Sequence, residues 1–561
     1  MYSNKENVNI LTALLVASGV RHAVVCPGSR NAPLVHNLNE CRSISCYPVT
    51  DERSAGFFAI GIAQSLHGKQ PVAVCVTSGS ALLNAAPAIA EAFYQHLPIV
   101  LISADRPPQW IDQLDGQTLP QNDALAHFVK KEVTLPEPNN DEQRWFCARL
   151  VNEAMIAMFR SQLGPVHINV PISEPLFDFS VQELPNLSSM IRLERNGGAE
   201  SVNREFLDIF FKSCRPMIVI GQMMDMDVDD DELNIINRHA VIVHESLSQL
   251  PFATPVDEML YAVEDKENYK PDLVVYMGDC LVSKRLKHFL RSADADFWQV
   301  SIDGEVHDTF MHLHGIVESR PADVLRAIAA MLKKAEKDDS SALKETKEYV
   351  DCWQTIFNDV MNKAATYEPS FSQMAAVKYF EEQLQDMEYP YMVHYANSTS
   401  IRIANIYADH KVWCNRGVNG IEGCLSSAAG MSAVTDDIVF CVIGDLSFFY
   451  DQNALWNQNL KGNLRIILLN NGCGSIFRLL RGLKDSPARD KLISAGHNTQ
   501  AEGVCMQNDV GYIKATNMEE MQIGMVTLLT STHKRPMLLE ILTDSKDDEL
   551  TYKQYYRTLK S

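Results

Sequence analysis

At 561 residues, 46% hydrophobic and 22% charged, the chain has room for about three or four ordinary globular domains, and no apolar run approaches the roughly 20 residues that span a bilayer. A formal charge of −21 disfavours nucleic acid as a partner, although a few clustered arginines can still build an anion pocket in an acidic protein. Thirteen cysteines without a CxxC pair argue against a zinc site or a disulfide framework, and the opening residues carry an acid and no apolar core, so no export and a cytoplasmic location are expected.

Residues 1–180 read as a first α/β domain. An amphipathic helix is predicted over 9–18, stopped by Gly19, and a strand over 21–26. The strand runs into Pro27-Gly28-Ser29-Arg30-Asn31-Ala32-Pro33-Leu34, a strand-to-helix turn where Ser29 and Arg30 offer donors to a carboxylate; a capped helix with a solvent-facing Arg30 fits as well. Glu52 opens a helix of small residues (Ala59, Gly61, Ala63) and by itself is better read as a helix-start carboxylate interacting with the dipole. A strand over 72–76, the turn Thr77-Ser78-Gly79-Ser80, a helix over 81–96 and a strand over 99–103 make a βαβ unit. It lacks the GxSxG elbow of a hydrolase. Arg106 and Gln117 follow in Ala104-Asp105-Arg106-Pro107-Pro108 and Gly116-Gln117, with a surface arginine and a loop amide as the plain reading.

A linker is expected over 178–202, where Pro185-Asn186, Ser188-Ser189 and Asn196-Gly197-Gly198 cluster. A central α/β domain follows at 203–335, with parallel strands over 216–221 and 272–277. Gly221-Gln222-Met223 is no GxGxxG, so dinucleotide binding is not supported. Lys284-Arg285 sits where a strand gives way to a helix and reads, on composition, as a solvated helix end. The acidic loop 225–231 and His307, His312 and His314 lack metal-ligand spacing. A charged helix-and-linker stretch over 333–347 is expected to join this domain to a third, at 365–561.

The third domain opens with a helix over 372–385 and a strand over 391–395, ending in Ala396-Asn397-Ser398-Thr399-Ser400-Ile401-Arg402. Ser398 is a donor for a phosphate or carboxylate and Arg402 lies a helical turn later; a cap with an exposed arginine is equally consistent. Asn415-Arg416-Gly417-Val418-Asn419-Gly420-Ile421-Glu422-Gly423 is glycine-rich, and an isoleucine there is by itself more often core. The apolar run 438–443 reads as an interior strand of a parallel sheet, with Gly444 and Asp445 at its carboxyl end. A helix over 454–460, begun at Asp451-Gln452-Asn453, and a strand over 464–469 complete a βαβ unit that closes on Asn470-Asn471-Gly472. Both strand ends then face one crevice, so Asp445 and Asn471 can converge as oxygen ligands for Mg²⁺, and so few protein ligands imply a phosphorylated partner. A helix cap and a turn are the bland alternative.

Gly444-Asp445, a spacer and Asn470-Asn471 resemble the signature of the thiamin-diphosphate-dependent enzymes. Leu446 stands where that signature usually has glycine, and Gly-Asp-Leu-Ser with the following Asp451 and Asn453 resembles the menaquinone-pathway synthase branch, MenD. Pro27 to Arg30, Asp51 to Gly56, Ala104 to Pro108, Gly116-Gln117, Ser283-Lys284-Arg285, Asn397-Ser398 with Arg402, and the 415–423 stretch are similar to that branch, in order, across all three domains. Asn419 and Cys473 depart from its pattern.

The resemblance implies three doubly wound α/β domains with parallel sheets in a thiamin-diphosphate-binding fold: a pyrimidine-binding domain at 1–180, the central domain, and a diphosphate-binding domain at 365–561. It implies thiamin diphosphate held through Mg²⁺, with Mn²⁺ as a substitute, at Asp445, Asn471 and the carbonyl of Cys473. Implied cofactor contacts are Glu52 on the aminopyrimidine, Ser398, Asn419, Gly420, the wedge Ile421, Gly444, Leu446, Ser447, Gly474 and Ile476. Ser29, Arg30, Arg106, Gln117, Lys284, Arg285, Arg402, Arg416, Ile476 and Phe477 would meet two dicarboxylate substrates, 2-oxoglutarate and isochorismate. Glu52, Arg30, Gln117, Lys284, Arg285, Ser398, Arg402 and Arg416 form the implied catalytic set, for decarboxylation of the first substrate and 1,4-addition to the second. Family architecture further implies a homo-oligomer, dimer or tetramer, with the first domain of one subunit facing the third domain of another. An acetohydroxyacid-synthase relative and a noncatalytic ligand-binding regulator on the same fold are the alternatives. The missing flavin motif and the retained Glu52, Asp445 and Asn471 weigh against them.

Overall fold

Runs such as Val72–Val76, Ile438–Gly444 and Leu464–Asn470 are buried along most or all of their length. Parallel strands covered by helices on both sheet faces have that character. In the computed structural model, which describes residues 1–193, 197–224, 226–480 and 482–560, these strands belong to three parallel sheets. The first has the order Ser45–Pro48, His22–Val25, Val72–Val76, Ile99–Asp105, Val166–Pro171, Glu132–Thr134. The second runs Leu313–Glu318, Asp296–Ser301, Leu273–Met277, Pro216–Ile220, Val241–His244. The third runs Val412–Trp413, Tyr391–Tyr395, Ile438–Gly444, Leu464–Asn470, Met537–Leu542, Gly511–Ala515.

Numbered within its own sheet, the third repeats the strand order of the first, 2-1-3-4-6-5. In both, chain order reverses between strands one and three, and at such a switch point the loops beyond the carboxyl ends part to leave a crevice. The core is continuous across sheets. One apolar cluster joins Phe57, Phe58 and Ala85 of the first domain to Leu425, Ala428 and Ile443 of the third; another joins Leu260, Phe289 and Trp353 to Phe380, Val393 and Tyr555. The helices Glu52–Ser65 and Cys424–Ala433 pack so closely that a methyl at Gly61 would lie 1.8 Å from the Ser427 carbonyl oxygen. Among the described residues no helix is long and apolar enough to cross a membrane.

Several expectations are corrected. The first helix is Glu6–Ala17 and is buried at every position from Asn7 to Leu15, so it is a core helix and not an amphipathic one. No α-helix occupies 454–460. A helix Asp445–Tyr450 is followed by a 3-10 turn Gln452–Trp456, because the Asp451 side chain turns back to accept from the amide and hydroxyl of Ser426 at 2.7 and 2.9 Å. The 333–347 stretch is mostly helical: Pro321–Lys337, a single turn Ala342–Glu345, then Lys347–Thr366. That last helix docks on the middle domain through Trp353, whose indole N–H donates to the Tyr269 carbonyl at 3.2 Å. Between 178 and 202 the described residues show a bridge from Val181 to Tyr2 and a 3-10 turn Ala199–Ser201. Asn196 of the expected linker, Asp225 of the acidic loop and Ser561 lie outside the described residues.

Candidate active site

The crevice of the third sheet opens between the loop after Tyr391–Tyr395 and the loop after Ile438–Gly444. Ser398 holds φ 79° and makes no side-chain bond to the helix Thr399–Tyr407 that it precedes. Gly79 takes nearly the same backbone conformation at φ 82° in the first domain. A non-glycine residue in that region is strained, a feature that gathers at functional sites.

Across the crevice, Gly444 has open space on its Cβ side, and Asp445 begins the next helix, 4% exposed. Its Oδ1 accepts from the Leu446 amide at 2.6 Å and its Oδ2 from the Asn471 amide at 3.1 Å. Burial pushes this carboxyl above its ordinary range, while the amides and His497, with Nε2 at 3.5 Å, pull it down. Asn471 donates to Asp548 at 2.8 Å, which orients its own amide oxygen toward the Cys473 amide at 3.4 Å. The Cys473 carbonyl accepts from Ser475 at 2.9 Å. Gly474 rests against Phe477 and Leu446, and Ile476 and Phe477 stand half-buried in the turn Ser475–Leu479. One carboxylate, one amide oxygen and a carbonyl form a hard donor set suited to Mg²⁺ that keeps water or phosphate oxygens.

The 415–423 loop is fastened from three sides. Asn397 donates to the carbonyls of Asn415 and Gly420. The Ser447 hydroxyl donates to the Ile421 carbonyl, leaving an isoleucine 39% exposed beside Gly420. From the first domain, buried Glu91 accepts the amides of Gly417 and Val418 at 2.7 and 2.6 Å. Arg416 is buried, with Nη1 3.4 Å from the Asn397 oxygen, and its carbonyl meets the Cys280 thiol at 2.9 Å. Asn419 sits at φ 68°, which asparagine tolerates.

Lys284 and Arg285 open the helix Lys284–Arg291, capped by Ser283. Lys284 is exposed. Arg285 donates to the Asp257 carbonyl and lies 5.0 and 5.1 Å over the rings of Tyr261 and Tyr556. Arg402 reaches the Val282 carbonyl at 3.5 Å. The structure therefore gathers Arg402, Arg416 and the segment bearing Lys284 and Arg285 along the seam between middle and third domains.

A second group lies in the crevice of the first sheet. Gly28 cannot carry a side chain, because a Cβ would lie 2.4 Å from Thr77. Ser29 beside it is exposed. Arg30 is buried and donates to the Ile172 carbonyl at 2.8 Å and to Glu174 at 3.3 Å; burial and then neighbouring Arg106 hold its pKa below the usual arginine value. Arg106 pairs with Asp115 at 2.6 Å. Exposed Gln117 presses its backbone on Gly79. Glu52 accepts from Asn84 at 3.1 Å, while its neighbours bind the third domain: Arg53 donates to the Tyr450 carbonyl and Asn453 to Asp51, both at 2.8 Å.

The first crevice adjoins the amino end of the helix Ser80–Tyr94, whereas the 415–423 loop is held by Glu91 near its carboxyl end, about 17 Å away along the axis. Sequence reasoning missed His497, Asp548 and Glu91 and took Asn397 only as part of a motif; these residues support the site through contacts 18 to 327 residues distant. No local pattern marks the first three.

Residues 6–127 match the family model described as thiamine pyrophosphate enzyme, N-terminal TPP binding domain. Over 577 aligned residues the chain is 42% identical to the 2-succinyl-5-enolpyruvyl-6-hydroxy-3-cyclohexene-1-carboxylate synthase of Bacteroides thetaiotaomicron, covering 100% of both. It is 40% identical to the protein of that name from Phocaeicola vulgatus, again over 100% of each. Against the one from Porphyromonas gingivalis it is 35% identical, over 99% of this chain and 97% of the relative.

Proposed function

We propose a division of labour among these residues that starts from the family: the chain belongs to the 2-succinyl-5-enolpyruvyl-6-hydroxy-3-cyclohexene-1-carboxylate synthases, within the thiamin-diphosphate-dependent enzymes. It is a thiamin-diphosphate-dependent transferase of menaquinone biosynthesis that takes 2-oxoglutarate and isochorismate, with a divalent metal, typically Mg²⁺. When bound, thiamin diphosphate supplies the electron sink that makes loss of CO₂ from a 2-oxo acid possible.

The chain's own residues do the rest. Asp445, the Asn471 amide oxygen and the Cys473 carbonyl would hold the metal; the observation that carries this reading is the bond from the Asn471 amide to Asp445 at the switch point. Ser398, Gly444, Leu446, Ser447 and Gly474 line the diphosphate channel. Ile421, exposed although apolar and pinned through its carbonyl by Ser447, would pack against the cofactor beside Asn419 and Gly420. Glu52 holds and moves a proton at the aminopyrimidine ring. Arg30, Arg106, Lys284, Arg285, Arg402 and Arg416 orient the dicarboxylates by charge-assisted bonds, with Ser29, Gln117, Ile476 and Phe477 walling the pocket.

The separation of the two groups along the Ser80–Tyr94 helix supports a homo-oligomer in which the first crevice of one subunit completes the third-domain site of another. A dimer is the smallest such unit. The test is CO₂ release from 2-oxoglutarate with Mg²⁺ and thiamin diphosphate, with and without isochorismate, following isochorismate loss in parallel. Coupled consumption is expected, and no consumption by cofactor-loaded protein would refute the reading. Glu52→Gln is expected to slow turnover severely with metal binding largely intact; near-normal turnover would remove Glu52 from the mechanism.

A further inference from the structure

Two short stretches far apart in sequence, 282–285 and the helix Thr399–Tyr407, carry three of the basic side chains assigned above to substrate. Both are fastened to the same pair of residues, Glu245 and Ser246, at the end of the edge strand Val241–His244. Glu245 is 2% exposed, and its two carboxylate oxygens accept the successive amides of Val282 and Ser283 at 2.5 and 2.6 Å. Ser246 bonds through its amide (3.3 Å) and hydroxyl to the Asn405 side-chain oxygen, on the same helix as Arg402 and three residues along.

The bracket closes on itself. Arg402 Nη1 lies 3.5 Å from the carbonyl of Val282, whose amide Glu245 holds. Ser283 caps the next helix through Leu286 at 2.9 Å and donates to Asp257, and Arg285 donates to the Asp257 carbonyl. Burying a carboxylate is costly unless strong donors meet it, and bonds from amides to an ionised acceptor are about twice as strong as neutral ones. Burial raises the Glu245 carboxyl from its ordinary range, and the two amides pull it back ahead of the charge on Arg416.

We propose that Glu245 is a positioning residue for the synthase reaction: its buried carboxylate clamps the 282–285 segment against the Arg402 helix, so that Lys284, Arg285 and Arg402 meet the dicarboxylate substrates as one preset surface. This rests on the assignment of those basic residues to substrate. A preset surface lowers the ordering cost of binding, and ordering one more rotamer-rich side chain on binding weakens affinity by up to about tenfold.

The test compares Glu245→Gln, which keeps shape and one acceptor, with Lys284→Ala and Arg402→Ala. The readouts are KM for each dicarboxylate, kcat, thiamin diphosphate affinity and Tm in the full-length holoenzyme. Glu245→Gln is expected to raise KM for at least one dicarboxylate about tenfold, with kcat and cofactor affinity within about twofold of the parent. An unchanged KM alongside a raised KM in Lys284→Ala or Arg402→Ala overturns the positioning role alone. Unchanged KM values in both of those variants overturn the substrate assignment, and the proposal with it. A fall in cofactor affinity and Tm together, without a selective KM effect, marks Glu245 as merely structural and also overturns it. If Glu245→Gln does not fold, Ser246→Ala removes the hydroxyl bond to Asn405 and leaves the backbone one, loosening the bracket on the Arg402 side only. It is expected to raise the same KM about threefold at unchanged Tm, and no rise overturns the proposal.

Discussion

Gly61→Ala tests the seam on which the site is built. A methyl at Gly61 would lie 1.8 Å from the Ser427 carbonyl oxygen and 2.8 Å from the Met431 amide nitrogen, and one at Gly430 would lie 1.9 Å from the Phe58 carbonyl oxygen. Ordinary contact needs about 3.5 Å, so the two helices would have to part by about 1.7 Å, and no side chain can yield because the opposing atoms are backbone. Overpacking of this kind costs about 1–3 kcal/mol, and each kcal/mol lowers Tm by about 2–4 °C in a domain of this size. The displaced helix carries Glu52 at its amino end, so turnover should fall along with Tm. Gly503→Ala is the control, since a methyl there meets nothing within 4 Å and the residue is helical; it should be neutral or slightly stabilising. The assay is a thermal melt paired with CO₂ release from 2-oxoglutarate. A Gly61→Ala protein that melts with the control and turns over normally would refute the packing argument.

Two further outcomes follow from the third-domain crevice. Asp445→Asn removes the charge and keeps an acceptor for only one of the Leu446 and Asn471 amides, so thiamin diphosphate affinity at fixed Mg²⁺ should fall at least about tenfold; unchanged affinity would place the metal elsewhere. Asp451, held by the amide and hydroxyl of Ser426, has its carboxyl pushed up to about 7 by burial. The folded state thus keeps a proton that the unfolded state releases, and stability falls as pH rises from about 4 to about 7 and then levels. Asp451→Asn should flatten that fall by on the order of 2 kcal/mol, read by denaturant unfolding at pH 5 and pH 7.5; identical slopes in both proteins would show that Asp451 does not titrate there.

Much of this fold was legible because its strands advertise themselves. The runs 72–76, 438–444 and 464–470 are almost wholly apolar, broken only by buried Arg465 before they end at glycine or polar residues, the pattern of a doubly covered parallel sheet. The motif residues were legible for the same reason, since a switch-point crevice must collect the first residues after such strands. The helix expected over 454–460 failed at Asp451, which looked like a helix start. Its carboxylate is instead consumed by Ser426, 25 residues earlier, and a helix begins six residues upstream at Asp445. Likewise 9–18 looked amphipathic, with polar Asn9 and Thr12 set among apolar residues and Asn7 just before them. All three are buried, with Asn7 bonded to the Pro171 carbonyl and Asn9 to Asn37.

The supporting acids illustrate why the remainder could not be read. Glu91 looked like an ordinary residue of a helix over 81–96, and nothing in the sequence singled out Glu245, yet each turns a buried carboxylate onto two successive amides of a loop that carries basic or wedge residues. A carboxylate can accept two parallel N–H bonds only if the receiving loop presents adjacent amides toward it, which is a property of tertiary placement and not of composition. Glu91 comes from the first domain and shapes a third-domain loop, whereas Glu245 shapes a loop of its own middle domain, which Ser246 ties to the third-domain helix through Asn405. The long-range packing that makes the three domains one body is, on this reasoning, the same packing that sets the geometry of the site. A change in either acid should therefore be felt in substrate binding before it is felt in the fold.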